Sequence, residues 1–177
     1  MLQVLQELIL YYTGVGSRDT PPDILILMEA IARKMASFGF WLRSGGAIGA
    51  DSAFERGAGM NKQIFYANDA TAQAMAIAAK FHPKWNRCSP FARKLHGRNA
   101  FQILGPNLND PTQYCICWTP DGCISHATRQ YATGGTGTAI SIADYYKVLI
   151  VNLAIPEHFK VWDEWAKMVE EVVNDKR

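Results

Sequence analysis

Ser44-Gly45-Gly46-Ala47-Ile48-Gly49-Ala50-Asp51 is the stretch that decides how this chain folds. The residues before it, Phe40-Trp41-Leu42-Arg43, form an apolar, aromatic-rich run of strand character, and a short helical pattern runs from Ala50 to about Gly59. A glycine-rich turn between a strand and a helix has a physical use. Without Cβ, the backbone N–H groups can approach an anion closely, and the helix start adds unpaired donors and a partial positive charge.

The same junction recurs on either side. Gly14-Val15-Gly16-Ser17-Arg18 follows a strand-like run from Ile9 to Thr13, and Thr133-Gly134-Gly135-Thr136-Gly137-Thr138 opens a helical pattern reaching about Tyr146. Ser17, Thr136 and Thr138 add hydroxyl donors, and Arg18 is suited to a phosphate or carboxylate. Neither common nucleotide fingerprint is present. The Gly-Lys-Ser/Thr of a phosphate-binding loop is missing, and Gly14-x-Gly16 lacks the third glycine of the dinucleotide motif. Each glycine turn taken singly is equally compatible with tight packing of strand against helix.

Further elements follow the same alternation. Apolar spacing predicts a helix over Ile24 to Ser37, announced by Pro21-Pro22 and ended by Gly39. A strand is expected over Lys62 to Tyr66, a helix over Thr71 to Ala79, and a loop over His82 to Ser89. A helix with a basic face is expected over Pro90 to Leu104, and a strand over Tyr114 to Thr119. Polar, irregular chain is expected over 120–133, then a strand over Val148 to Asn152 and a closing amphipathic helix from Pro156. The composition does not change regime along the chain. The expectation is one domain over 1–177, an α/β Rossmann-like fold with an open, mainly parallel sheet of about five or more strands and helices on both faces. In such sheets the ligand sits at the carboxyl ends of the strands.

The bulk numbers agree. Of 177 residues, 49% are apolar and 19% charged, which is ordinary globular composition, and the net charge of +2 does not by itself argue for nucleic acid. The first ten residues carry Glu7 and no basic leader, and no apolar run reaches the roughly 20 residues of a membrane span, so a cytoplasmic protein without a membrane partner is expected. Cys88, Cys115, Cys117 and Cys123 lack zinc-ribbon spacing and read as buried reduced thiols. His82, His96, His126 and His158 show no metal spacing, so neither a metal nor another cofactor is expected.

Candidate site residues lie outside the glycines too. Asp51 and Glu55, four apart on one helix, are the candidate acids for catalysis or ribose binding. Arg87, Arg93, Lys94, His96 and Arg98 form a basic cluster. Within it Arg98 and Asn99, with Gln102 a turn on, are the ligand-reading candidates. Trp118, followed by Thr119, is placed to stack on a base or to fill core. Arg129 and Tyr131 precede the third loop. Trp162 and Trp165 continue an apolar stripe, through Met168 and Val172, that reads as core or a dimer face.

At its three loops the chain resembles the SLOG superfamily of Rossmann-like nucleotide-binding domains. Gly14 to Arg18 is similar to the glycine-serine-arginine loop of DprA/Smf-like members. Ser44, Gly45, Gly46, Gly49 and Asp51 are similar to the second loop of the same branch. Thr133 to Thr138 resembles the phosphate loop of the LOG-type nucleotide hydrolases. The resemblance brackets residues 9 to 152 and leans toward a stand-alone bacteriophage member. It implies a nucleotide or nucleotide-derived ligand, such as an ADP-ribose-like or cyclic nucleotide molecule, and a homodimer or higher oligomer. The LOG pattern has a proline where Thr133 stands and its catalytic glutamate where Ser141 stands, and a serine cannot replace that carboxylate. Capture of a nucleotide signal without turnover, as in sequestration of an immune messenger, is therefore the first expectation. N-glycoside hydrolysis is the second and DprA-like single-stranded DNA binding the third.

Overall fold

The computed structural model describes residues 9–174, with the side chains of α6 described as far as Met168. The leader reading of residues 1–8 and the Val172 position of the closing stripe lie outside the described residues.

Five strands form one sheet in the order β3-β2-β1-β4-β5, and every neighbouring pair is parallel. They are β1 (Tyr11–Gly16), β2 (Trp41–Ser44), β3 (Lys62–Ile64), β4 (Tyr114–Trp118) and β5 (Leu149–Asn152). Six α-helices among the described residues alternate with them: α1 (Pro22–Ser37), α2 (Ala50–Ala58), α3 (Ala72–Phe81), α4 (Pro90–Leu104), α5 (Thr136–Tyr145) and α6 (Pro156–Asn174). This is the expected Rossmann-like open α/β sheet. None of the helices among the described residues is long and apolar enough to cross a membrane.

The period-2 alternation of the strands sorts side chains between two cores. Tyr12, Leu42, Ile116 and Val151 point to one face, where α1, α2 and α6 cover them with Met28, Ile31, Phe54 and Ala166. Val15, Cys115 and Cys117 point to the other, against Ala100, Phe101 and Ile103 of α4 and Ala139, Ile140 and Ile142 of α5. Cys115 and Cys117 share a face, as their spacing predicts. Cys123 is also buried, but Cys88 is half-buried and does not belong to the core.

The register places the glycines. β1 pairs with β2 through Thr13 and with β4 through Gly16, so it continues three residues past the predicted end and takes Gly14 and Gly16 into the ladder. A side chain at Gly14 would press its Cβ to 2.5 Å from the Phe54 ring. That glycine therefore lets α2 lie close on the sheet. β3 is shorter than predicted, at three residues. The predicted loop over 82–89 contains a 3-10 turn, Trp85–Arg87.

The chain builds β1, β2 and β3 outward in one direction, then returns to the other side of β1 for β4 and β5. The connections therefore diverge between β1 and β4, which opens a crevice at their carboxyl ends.

Candidate functional site

A cleft of about 450 Å³ occupies that crevice. Each of the three glycine loops contributes to it: Gly16, Ser17 and Arg18 from the first, Ala47 and Asp51 from the second, and Thr133, Gly134, Gly135 and Thr136 from the third. α4 closes the remaining side with His96, Arg98, Asn99 and Gln102. The expected basic face of α4 is thus divided. Arg98, Asn99 and Gln102 turn inward, and Asn99 and Gln102 are buried.

The second loop is tied from three sides. Gly49 has φ +93°, and a Cβ there would lie 3.0 Å or less from the Arg18 backbone, so this glycine lets the first two loops cross in contact. Arg98 Nη1 donates to the Gly45 carbonyl at 2.9 Å. The Asp51 carboxylate, in the first turn of α2, accepts from the Ala47 amide at 3.4 Å. Ser44 lies beneath, donating to the Gly14 carbonyl at 2.6 Å. Gly46 sits outside the cleft, over Tyr66 and Ile64.

The third loop presents a helix start. The amides of Gly137 and Thr138 donate to the carbonyls of Gly134 and Gly135 at 3.2 and 3.3 Å. Asn99 Nδ2 donates to the Gly135 carbonyl at 3.3 Å, which fixes the loop against α4. Gly134, with φ +63°, turns the chain into α5. Thr133 is buried and its hydroxyl donates to the Asp121 carboxylate. Gly137 and Thr138 stand behind the loop rather than on the cleft. Arg129 packs on Gly137, and Thr138 Oγ1 contacts His96 Nδ1 at 3.1 Å and accepts from Arg129 Nη2 at 3.4 Å.

The electrostatics of the floor are unusual. Asp51 is almost fully buried, and desolvation pushes its pKa up to about 6, against the opposing pull of the Arg98 guanidinium and the amides of Ala47, Gly45 and Gly16. His96 is held neutral, down to about 4, chiefly by burial and then by the charges of His82, Arg129 and Arg98. Gln102 is wholly buried, yet both its Nε2 and Oε1 lack a hydrogen-bond partner among the described residues. An unpaired buried amide costs about 1–3 kcal/mol, so such a group at a cleft floor points to a partner that arrives with a ligand.

Several sequence candidates fall elsewhere. Glu55 pairs with Lys62 at 3.0 Å, away from the cleft. Trp118 packs against the α1/α2/α6 core. Thr119 is buried, its hydroxyl accepting from Asn152 Nδ2 at 2.8 Å. Tyr131 is exposed, while Arg129 donates to the Phe81 carbonyl at 2.9 Å. Ser141 is buried. It donates to the Gly137 carbonyl at 2.8 Å, leaving its oxygen to meet His126 Nδ1 at 2.9 Å. The hydroxyl proton is thereby committed to the backbone, so this Ser–His pair is not an activated nucleophile.

Sequence reasoning missed Asp19, Leu95, His96, Ala132 and Ala139 as lining residues. His96 was visible only as part of the basic cluster. Its seven-residue lead over Ile103, a core residue two turns on, is the one signal that α4 turns this position inward. The chain matches no family model, no curated protein and no solved structure in the comparisons made.

Proposed function

We propose that this protein binds a nucleotide-derived small molecule in the cleft between β1 and β4 and holds it without turnover. The observation that carries the reading is the convergence of three glycine loops on one crevice with an unpartnered, buried Gln102 amide at its floor. The helix start at Gly135 and Thr136 suits a phosphate. Arg18 supplies a charge at the rim. Gln102, offering a donor and an acceptor side by side, suits the edge of a base or the hydroxyls of a ribose. The volume fits a ligand of nucleotide size. The likeness of the loops to the SLOG superfamily supports the same ligand class.

One observation favours hydrolysis of an N-glycosidic bond as the second reading. Asp51 is a cleft carboxyl with its pKa near neutrality, the property wanted in a general acid. Calorimetry of the full chain against nucleoside monophosphates, cyclic nucleotides and ADP-ribose, with chromatography of the recovered ligand, separates the two. We expect saturable binding with the ligand recovered intact. Release of free base that disappears in Asp51→Asn would establish the hydrolase instead, and no binding by any of the panel would overturn both.

A further inference from the structure

Three side chains within fifteen residues of one another meet where α3 hands over to α4. His82 caps the carboxyl end of α3, Cys88 closes the 3-10 turn Trp85–Arg87, and His96 lies on the second turn of α4. One donor atom from each lies within 4.8 Å of the other two. Cys88 Sγ is 3.6 Å from His82 Nδ1. Zinc bonds of about 2.3 Å to sulfur and about 2.0 Å to nitrogen, opened at a tetrahedral angle, set a ligand–ligand edge of roughly 3.6 Å.

The ring nitrogens are already oriented by their neighbours. His82 Nδ1 accepts from the Lys84 amide at 3.2 Å, which puts the ring proton on Nε2 and gives the nitrogen nearer the sulfur a lone pair that a metal takes over from that amide. His96 Nδ1 faces Thr138 Oγ1 at 3.1 Å, and a proton donated there frees Nε2. A hydrogen bond from the second nitrogen is the usual outer support of a metal-bound imidazole. The two rings lie with centroids 4.2 Å apart, and the Trp85 ring packs edge-on against both.

We propose that His82, Cys88 and His96 bind a tetrahedral transition-metal ion of the zinc class, with water or an anionic oxygen as the fourth ligand. Two imidazoles and a thiolate are a borderline-soft set that selects such an ion over magnesium or calcium. Binding replaces the Lys84 amide on His82 and releases the Cys88 thiol proton to solvent. Three protein ligands leave a position open, the arrangement of reactive rather than purely structural sites. The single thiolate leaves the centre with a net positive charge, and Arg129, whose Nη2 donates to the Thr138 hydroxyl that meets His96, adds another positive group nearby. An anionic fourth ligand is therefore favoured. Because His96 also lines the cleft, the ion would stand in the cleft wall. Metal uptake does not depend on the nucleotide reading and is measured without nucleotide.

The test is titration of the chelator-stripped full chain with cobalt(II), followed by competition with zinc(II). We expect one equivalent of cobalt, tetrahedral ligand-field bands, a near-ultraviolet thiolate-to-cobalt charge-transfer band, and displacement by zinc. Cys88→Ser should abolish the charge-transfer band, and His82→Gln and His96→Gln should each weaken uptake at least about tenfold, with circular dichroism confirming that each variant is folded. Cys88 is half-buried rather than core, so its serine variant keeps the fold. Independently, zinc should protect Cys88 of the wild-type chain from a thiol reagent. Failure of the folded wild-type chain to take up an equivalent, an unchanged cobalt spectrum in Cys88→Ser, or no zinc protection of Cys88 would overturn the proposal.

Discussion

Asp51 places a titrating group in the middle of the cleft. Its folded pKa of about 6 lies above the ordinary aspartate value of 3.8, so the folded protein holds a proton that the unfolded chain has already released. The stability tied to that proton is present in full below the unfolded pKa and is lost as pH rises through the folded one. Between pH 5 and pH 7.5 the linkage relation makes the loss on the order of 1 kcal/mol. Asp51→Asn keeps an acceptor for the Ala47 amide and removes the titration. Urea unfolding at the two pH values should therefore show the wild type losing on the order of 1 kcal/mol more than the variant. The same proton couples to the ligand. A phosphate near Asp51 favours its neutral form, so affinity for an anionic nucleotide should rise as pH falls from 7.5 toward 5.5, by up to about thirtyfold. Calorimetry with a cyclic nucleotide or ADP-ribose, whose phosphates do not titrate in this range, should find the dependence flat in Asp51→Asn. Gln102 gives a third measurable contrast. Gln102→Leu removes an unpaired buried amide and fills similar space, so stability should hold or rise by about 1 kcal/mol. Nucleotide affinity should fall at least about tenfold if the amide pairs with the ligand.

At the scale of elements, close approaches matter as much as apolar periodicity. Gly57, inside α2, faces the Glu29 carbonyl of α1, and a Cβ there would stand 2.1 Å from that oxygen. Two effects compete in Gly57→Ala. Helix propensity favours alanine by about 1 kcal/mol, while forcing two packed helices apart costs about 1–3 kcal/mol or more. The obstacle is backbone and cannot rotate away, so packing wins. Urea melts should show a net loss of about 2 kcal/mol. Such contacts explain the limits of sequence reading. The α4 boundaries, Pro90 to Leu104, were legible because Ser89 caps the helix through the Ala92 amide, proline follows, and Gly105 ends it. The inward turn of Arg98 was open, because only the missing side chain of Gly45 lets the guanidinium reach that loop. Asp51 read as the stronger of the two candidate acids, and what holds Glu55 away from the cleft is Lys62 on the neighbouring strand, a partner that spacing within α2 does not contain.

Across the whole molecule, strand order brings the site together. The alternation of strands and helices was legible residue by residue, but the placement of β4 beside β1 depends on which crossovers form, and that placement makes three separate loops one cleft. The meeting of His82, Cys88 and His96 is also tertiary, made by the corner between α3 and α4, and their sequence intervals match no metal motif. The architecture bears on the choice between a small ligand and a nucleic acid. A strand-binding protein neutralises several phosphates along a track, and its affinity falls steeply with salt. Here the net charge is only +2, and of the basic cluster on and before α4, only Arg98 together with His96 enters the cleft. Arg98 also spends one donor on Gly45. The cleft presents Arg18 and Arg98 but no track of basic residues. Raising salt from 50 to 200 mM should therefore weaken nucleotide binding by no more than about tenfold, against a thousandfold or more for a protein gripping about six phosphates. The bound state should show in stability too. A nucleotide at about one hundred times its Kd adds about 2.7 kcal/mol, which for a domain of this size raises Tm by roughly 5–10 °C. Thermal melts over a salt series, with mononucleotides and with single-stranded oligonucleotides, check both numbers. A shift of that size with a mononucleotide, persisting at 200 mM salt, is the result expected of a closed crevice. A shift seen only with oligonucleotides and erased by salt would move function from the cleft to the basic residues outside it, Arg87 before α4 and Arg93 and Lys94 on it.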